Sequence, residues 1–278
     1  MLTEPRSGRL AAWGNALLAG LVSPDEAAER IAAQDARHRV VLPDDDSDPV
    51  GLTLALGRLR SLGAVGLRVA LPVPGHPLGL SGPPEFNARA LEAEEAVLAY
   101  GTALGLVPTV YEAGPADADP QDVHTEVLWE CLPVREGPPA DVPSLAEAER
   151  ELAEAMREAT EVLTRLDVAG SGPVAEAALE AYRARMEAGR QLLAPGYPPR
   201  AVRVLELAQR VTALVSIAHG DGGEAGDGRE HGGAVSAAEM AARAEALRPV
   251  ERTARRAQVA AYNAYAEELE RRREGGRA

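Results

Sequence analysis

The chain contains no lysine: all 29 basic residues among its 278 residues are arginines. A phosphate-binding loop needs a lysine on the β- and γ-phosphates, and a Schiff-base enzyme needs a lysine amine as its nucleophile. A protein kinase needs a strand lysine on the α- and β-phosphates. These classes are therefore excluded in their usual form. The chain also has only two isoleucines and three asparagines and is rich in alanine, glycine, proline and arginine. This composition, like the absence of lysine, is typical of the codon usage of a GC-rich genome.

Aromatic residues and cysteine are also scarce. Aromatics make up 3% of the chain and the net charge is −14, so the protein offers no stacking platform for bases and repels a phosphate backbone, and we expect no nucleic-acid binding. The single Cys131 leaves no internal disulfide and no cysteine metal site, and its apolar neighbours favour a buried structural thiol. No apolar run approaches 18 residues and no signal pattern begins the chain, so we expect a cytoplasmic protein that does not associate with membranes.

The charge and the proline pattern divide the chain into two parts. Residues 1–140 hold 10 arginines and 20 acidic residues, whereas residues 141–278 hold 19 and 23. Between these parts lies the clearest linker, Gly137–Pro143. We therefore predict an α/β domain with a short mixed sheet over 1–140 and a helical bundle over 141–278, which together make an α+β protein.

Short apolar runs in the first part alternate with helical patterns. One helix is predicted from Arg9 to Ala19. The next has Ser23 as its N-cap and Glu26 as its capping-box partner, and it runs to about Arg37. Four strands are predicted at residues 39–42, 67–71, 107–111 and 125–132, with further helices at 52–59 and 84–104. The alternation favours parallel pairing, and the last two strands could form a hairpin, so the expected core is a four-stranded mixed sheet.

The second part consists of amphipathic stripes separated by two interruptions. Apolar residues recur at helical spacing over 145–166, 175–193, 204–218 and 247–269, which is the pattern of an antiparallel bundle. A proline-rich turn at 194–199 and a glycine-rich stretch at 220–233 interrupt them, and we expect the second interruption to be mobile.

The stretch Pro72–Asn87 is the most distinctive candidate site. It follows a predicted strand, and ligands of open α/β sheets bind beyond the carboxyl ends of strands. It holds five prolines before Asn87 and ends at a predicted helix start, where backbone amides can hold an anion. We therefore consider His76, Asn87, Arg89 and Arg68 as candidate ligand-binding residues. A proline-stiffened crossover that only covers the sheet edge would explain the same stretch.

Other clusters of polar residues are better explained as solvent-exposed surface than as catalytic or metal-binding sites. The acidic loop Asp44–Asp48 has no EF-hand spacing, and whether it binds a cation stays open. Glu112 and the alternating His124, Glu126 and Glu130 could pair carboxylates for acid–base work, but such alternation is typical of a solvent face. A second set flanks the glycine-rich stretch without any fixed metal geometry: His219, Asp221, Glu230 and His231.

In composition, and in the stretch Gly75–Leu91, the chain resembles conserved uncharacterised proteins of high-GC actinobacteria. That resemblance implies no activity and no catalytic residues. With no catalytic constellation, metal site or cofactor motif, we expect a non-enzymatic cytoplasmic interaction protein that binds a protein partner or forms a homodimer. The alternative is a small-molecule binding protein, or an enzyme, that uses the loop Gly75–Asn87 for an anionic ligand.

Overall fold

The computed structural model describes residues 4–43, 48–114, 123–135, 137, 139–165, 193–219 and 237–275. Within these residues the chain forms seven helices and six strands, so the protein is α+β as predicted. The helices are α1 (Arg6–Leu18), α2 (Pro24–Ala32), α3 (Leu52–Ser61), α4 (Pro84–Ala93), α5 (Leu145–Arg165), α6 (Pro199–His219) and α7 (Ala237–Gly275). The strands are β1 (Arg37–Val41), β2 (Val50–Gly51), β3 (Gly66–Ala70), β4 (Ala96–Tyr100), β5 (Leu104–Ala113) and β6 (His124–Pro133).

The six strands form one mixed sheet in the order β2-β1-β6-β5-β4-β3. Only β1 and β6 are parallel, and every other neighbouring pair is antiparallel. The predicted preference for parallel pairing was therefore wrong. The predicted β5–β6 hairpin pairing is confirmed over ten residue pairs, from Leu104 opposite Pro133 to Ala113 opposite His124.

The predicted helix over 84–104 was wrong in its second half. Helix α4 ends at Ala93, Glu94 takes a left-handed conformation with φ 57°, and the chain then returns as β4. The apolar run of β4 is buried between two strands, and a short apolar run of this kind has no periodicity that separates a strand from a helix. This strand and the two-residue β2 raise the predicted four strands to six.

The start of helix α2 agrees with the prediction from the sequence. The Ser23 hydroxyl accepts a hydrogen bond from the Glu26 N–H at 3.2 Å, so Ser23 is the N-cap that the sequence predicts. Helix α2 nevertheless ends at Ala32 rather than near Arg37, because Ala33 adopts φ 51° and leaves the helical region.

Helices pack on the sheet at close range. A Cβ atom built on Gly14 of α1 would lie 2.4 Å from Leu67 Cδ1 of β3, so a larger residue at this position would force the buried Leu67 side chain to shift. A second core cluster joins Phe86 and Ala90 of α4 to strand residues that include Ala70 and Val107. Burying these side chains supplies the main favourable free energy of this layer.

Side chains close the outer edge of β3. The Asn15 amide accepts from the Leu67 N–H at 2.6 Å and donates to the Leu67 carbonyl at 3.0 Å. Asn263 of α7 does the same at Val69, with distances of 2.7 and 3.1 Å. Two buried asparagines therefore supply the hydrogen bonds that a further strand would make.

The described residues fall into two compact units. One contains residues 4–142, 193–198 and the part of α7 from Tyr262 onward. The other contains α5, α6 and α7 up to Ala261, and it is held by ion pairs from Arg200 to Glu149 at 2.5 Å and from Arg256 to Glu151 at 3.3 Å. The predicted stripe at 175–193 lies almost wholly outside the described residues, and the stretch 220–233 lies entirely outside them.

Candidate functional site

The proline-rich loop between β3 and α4 is a built structure. Val73 and His76 exchange backbone hydrogen bonds of 2.8 and 3.0 Å across a turn, and Gly75 occupies it with φ 84°. The His76 imidazole is half-buried, and its Nδ1 lies 3.9 Å from the Asp141 carboxylate. Further along, the Gly79 N–H donates to the Ala140 carbonyl at 2.8 Å, so the loop is tied to the segment that was predicted as a linker.

Two of the predicted ligand residues hold the fold together. The Asn87 side chain accepts a hydrogen bond from the Gly82 N–H at 3.0 Å, which fixes the end of the loop at the start of α4. Arg89 donates to the Glu130 carboxylate of β6 and lies 3.7 Å from Glu85 one helical turn away. These contacts raise the pKa of Arg89, through the Glu130 hydrogen bond first.

The fourth predicted residue, Arg68, lines a shallow cleft at the end of β3 and β4. The cleft has a volume of about 30 Å³, and Arg68 lies with its guanidinium 5.0 Å from the centre of the Tyr100 ring. Further lining comes from Leu98, Thr102, Val134 and Arg135. His76, Asn87 and Arg89 do not line this cleft, so the structure does not bring the four residues together there. Their joint role in ligand binding stays a prediction.

The predicted hairpin carboxylates do not converge on a shared site. The exposed His124 lies 3.4 Å from Glu126, and Glu130 is paired with Arg89. No group of three or more metal-ligating side chains occurs within the described residues, which exclude 44–47 and 220–236. Cys131 is buried, and burial raises its pKa to about 11, as expected of a structural thiol.

The most connected polar cluster was not predicted from the sequence. Asp35, just before β1, receives the guanidinium of Arg6 at 2.9 and 3.0 Å, that of Arg9 at 2.6 Å, and the Nε2 of His38 at 3.0 Å. The Trp129 indole N–H donates to His38 Nδ1 at 3.2 Å. That bond assigns the imidazole hydrogen to Nε2, which then donates to Asp35.

The electrostatics of this cluster favour a fixed ion. Burial alone would raise the pKa of Asp35, but hydrogen bonds from His38 and Arg6 and the charges of Arg6 and Arg9 hold it well below its usual range. Both carboxylate oxygens are occupied by donors. The cluster therefore joins α1, α2, β1 and β6 and leaves no free acceptor for substrate. Arg6 and Arg9 lie three residues apart on one helix face, but nothing local in the sequence names Asp35 as their partner.

A different surface lies where β5 extends beyond β4. We call residues 107–113 of β5 and 124–130 of β6 the arm. β4 pairs with β5 only at Leu104–Leu106, so no strand described here lies along the other edge of β5 from 107 onward. The Val134 N–H donates to the Ala103 carbonyl, and alternate residues from 103 to 111 therefore face β6. The backbone groups of Pro108, Val110 and Glu112 face away from it.

The open edge carries exposed apolar side chains and negative charge. Val110 is 38% exposed and Tyr111 is 55% exposed. Glu112 lies at the edge itself, in a part of the chain, residues 1–140, that holds 20 acidic residues and 10 arginines. The sequence predicted both strands of the arm but not its open edge, because the edge depends on β4 being shorter than β5.

These features define an α+β protein with a six-stranded mixed sheet, in which asparagine side chains close the edge of β3 and strand β5 of the arm extends past β4. The chain belongs to the Rv1486c-like family: the N-terminal domain of that family matches residues 7–144 and its C-terminal domain matches residues 146–259. The resemblance to uncharacterised actinobacterial proteins is thereby confirmed.

Relatives in mycobacteria match almost the whole chain. The uncharacterised protein Rv1486c of Mycobacterium tuberculosis is 31% identical over 92% of this chain and 95% of its own length. The uncharacterised protein ML1804 of Mycobacterium leprae is 29% identical over the same shares. No solved structure matches significantly. Among the helices described here, none has the length and apolar character needed to cross a membrane.

Proposed function

We propose that this protein is a non-enzymatic cytoplasmic interaction protein, with the arm as its contact surface for a protein partner. The observation that carries the proposal is the open edge of β5, where Val110 and Tyr111 are exposed beside unpaired strand backbone. An open strand edge is a template for pairing with another chain, and most proteins protect such edges. Tyrosine is enriched in protein interfaces, which adds support.

We further propose that the C-terminal part is an all-α helical bundle that supports this role without joining the contact. Its described helices α5, α6 and α7 are connected by side-chain pairs, among them the Gln258 amide, which donates to the Thr212 hydroxyl at 3.0 Å. Amphipathic helices joined in this way are typical of bundles.

A photo-crosslinking amino acid at Tyr111 tests the contact surface, with Leu54 of α3 as the matched control because its side chain is 52% exposed. The proposal expects a discrete crosslinked species from cell extract with the probe at 111 and none at 54. The captured protein, once purified, should then bind the unmodified chain in calorimetry and lose about tenfold in affinity for Tyr111→Ser. Equal binding by Tyr111→Ser and Leu54→Ser would contradict the arm as the contact surface.

The cleft beside Tyr100 supports a second candidate, the binding of a small anionic ligand. Two arginines, Arg68 and Arg135, are among the described residues that line it, and none of those lining residues is a carboxylate. Arginine is suited to carboxylate and phosphate groups. Thermal-shift measurements with inorganic phosphate and nucleotides test this function. A stabilisation that Arg135→Ala removes would support it, and the absence of any shift at millimolar concentration would rule it out for these ligands.

A further inference from the structure

We infer that the arm binds an extended, arginine- or lysine-rich segment of its partner, which adds as a strand to the open edge of β5. This inference rests on the proposed interaction function and specifies the partner chemistry. It follows from three properties: an unpaired strand edge, apolar side chains beside it, and the excess of 20 acidic residues over 10 arginines in residues 1–140.

The chain closes the edge strand β3 but not the part of β5 that extends past β4. At β3, Asn15 and Asn263 satisfy the outward backbone groups of Leu67 and Val69. At β5, the outward N–H and C=O groups of Val110 and Glu112 have no bond outside the sheet among the described residues. The chain thus closes one edge with two of its three asparagines and leaves the other available.

The geometry of the edge sets the size of the partner segment. The exposed outward backbone groups are those of Val110 and Glu112, which lie about 7 Å apart at 3.4 Å per residue. Pro108 is buried and has no N–H, so it marks the end of the open stretch. An added strand of about five residues therefore covers this stretch and meets both backbone groups of Val110 and Glu112.

Charge selects the partner. Glu112 lies at the edge, and Glu126 and Glu130 lie on the paired strand. Arginines near these acids offset part of their charge, so the net negative field comes from residues 1–140 as a whole, which hold 20 acidic residues and 10 arginines. Arg89 is paired with Glu130, and Arg37 of β1 lies opposite Glu126 of β6. The guanidinium of Arg6 is bound by Asp35, and its charge also acts on Glu112.

A basic segment gains from this field, whereas a second copy would bring an equally acidic edge, and like charges placed opposite each other destabilise a strand pair.

Synthetic peptides and the full-length chain provide the test. The probe is a fluorescent nine-residue peptide of alternating arginine and valine, and its controls replace arginine by glutamate or carry N-methyl groups on alternate amides. We expect the arginine peptide to bind by fluorescence anisotropy, more weakly at high salt, and the two control peptides not to bind. Val110→Pro removes the outward N–H and should weaken binding about tenfold, whereas Val110→Thr keeps that N–H and should bind like the wild type.

The outcomes separate this inference from the proposed function. If Val110→Pro and the N-methylated peptide bind as tightly as their parents, attraction is charge alone and strand addition is overturned. If no peptide binds while the Tyr111 crosslink persists, the interaction function stands and the basic segment is wrong. A dimer in sedimentation that Val110→Pro dissolves would make a second copy the occupant and overturn the inference. Circular dichroism checks that Val110→Pro folds, and the N-methylated peptide gives the same test if it does not.

Discussion

Asp35 illustrates how a single carboxylate organises several elements. It has four donor contacts from three side chains, and its side chain is 8% exposed. Removing one member of a buried ion cluster leaves the other charges buried without a counter-charge. The resulting loss of folding free energy exceeds the net stabilisation that the intact cluster provides. Its position between α2 and β1 makes Asp35 the residue whose loss most affects this corner of the fold.

We predict that Asp35→Asn lowers the free energy of unfolding by about 3 kcal/mol at neutral pH. Because the folded pKa of Asp35 lies below its ordinary value of 3.8, the advantage of the wild type is complete above that value. This stability advantage of the wild type over Asp35→Asn disappears as the pH falls through the pKa of Asp35 in the folded protein. Denaturant unfolding from pH 7 to pH 2 measures this, with the exposed Asp25→Asn as control. A difference between wild type and Asp35→Asn that does not change with pH would contradict the account.

The asparagines at β3 give a second prediction at the scale of one residue. Asn263→Ala leaves the Val69 N–H and C=O without partners at a buried edge, which should cost about 2 kcal/mol or more. Asn263→Asp keeps the acceptor for the N–H, and at low pH its protonated carboxyl group can donate to the carbonyl, so its stability there should lie between those of Asn263→Ala and the wild type. Chemical denaturation measures the order. Equal stability of all three proteins would show that water satisfies this edge.

Elements were predictable where the signal was local. The Ser23 cap and the strands at β1, β3, β5 and β6 follow from neighbouring residues. The β4 strand was misread because its buried apolar run follows a helical pattern without a proline or glycine between them. The Asn263 contact with Val69 spans 194 residues, and no local pattern encodes a contact of that range.

The candidate site was likewise predictable from the sequence only where it depends on neighbouring residues. The proline-rich loop and both strands of the arm stand out in the sequence. The cleft needs Arg135 beside Arg68, and the open edge needs the unequal lengths of β4 and β5. Both are products of long-range pairing, because a strand has a free edge only relative to its neighbours.

Replacing glycine by alanine should have opposite effects on stability in α1, which packs tightly against β3, and in α3, where the glycine is open to solvent. Gly14→Ala places a Cβ at 2.4 Å from Leu67 Cδ1, and such overpacking should destabilise by about 1–3 kcal/mol. Gly57→Ala in α3 meets nothing within 4 Å, and replacing a helical glycine should stabilise by about 0.5–1 kcal/mol. Thermal unfolding gives both values. A shift of the same sign for both would refute the packing described.

At the scale of the whole molecule, the predicted division at residue 140 leads to a specific expectation. A fragment of residues 1–142 lacks Asn263 and therefore the closure of β3 at Val69. We expect it to fold with lower stability and to self-associate, because an exposed strand edge pairs with other chains. A synthetic peptide of residues 258–275 should restore stability, and the Asn263→Ala peptide should not. Circular dichroism and light scattering report these outcomes, and an unfolded fragment that neither peptide rescues would show one interdependent core.

Residue-resolved amide hydrogen exchange shows whether the edge of β5 is open in the isolated protein. We predict an alternating pattern: protection of the Val107, Thr109 and Tyr111 amides that face β6, and rapid exchange at Val110 and Glu112. The Leu67 and Val69 amides at the asparagine-closed edge should be protected and serve as the internal reference. Protection of Val110 and Glu112 as strong as that of Thr109 and Tyr111 would show that the edge is already covered, and would contradict the account.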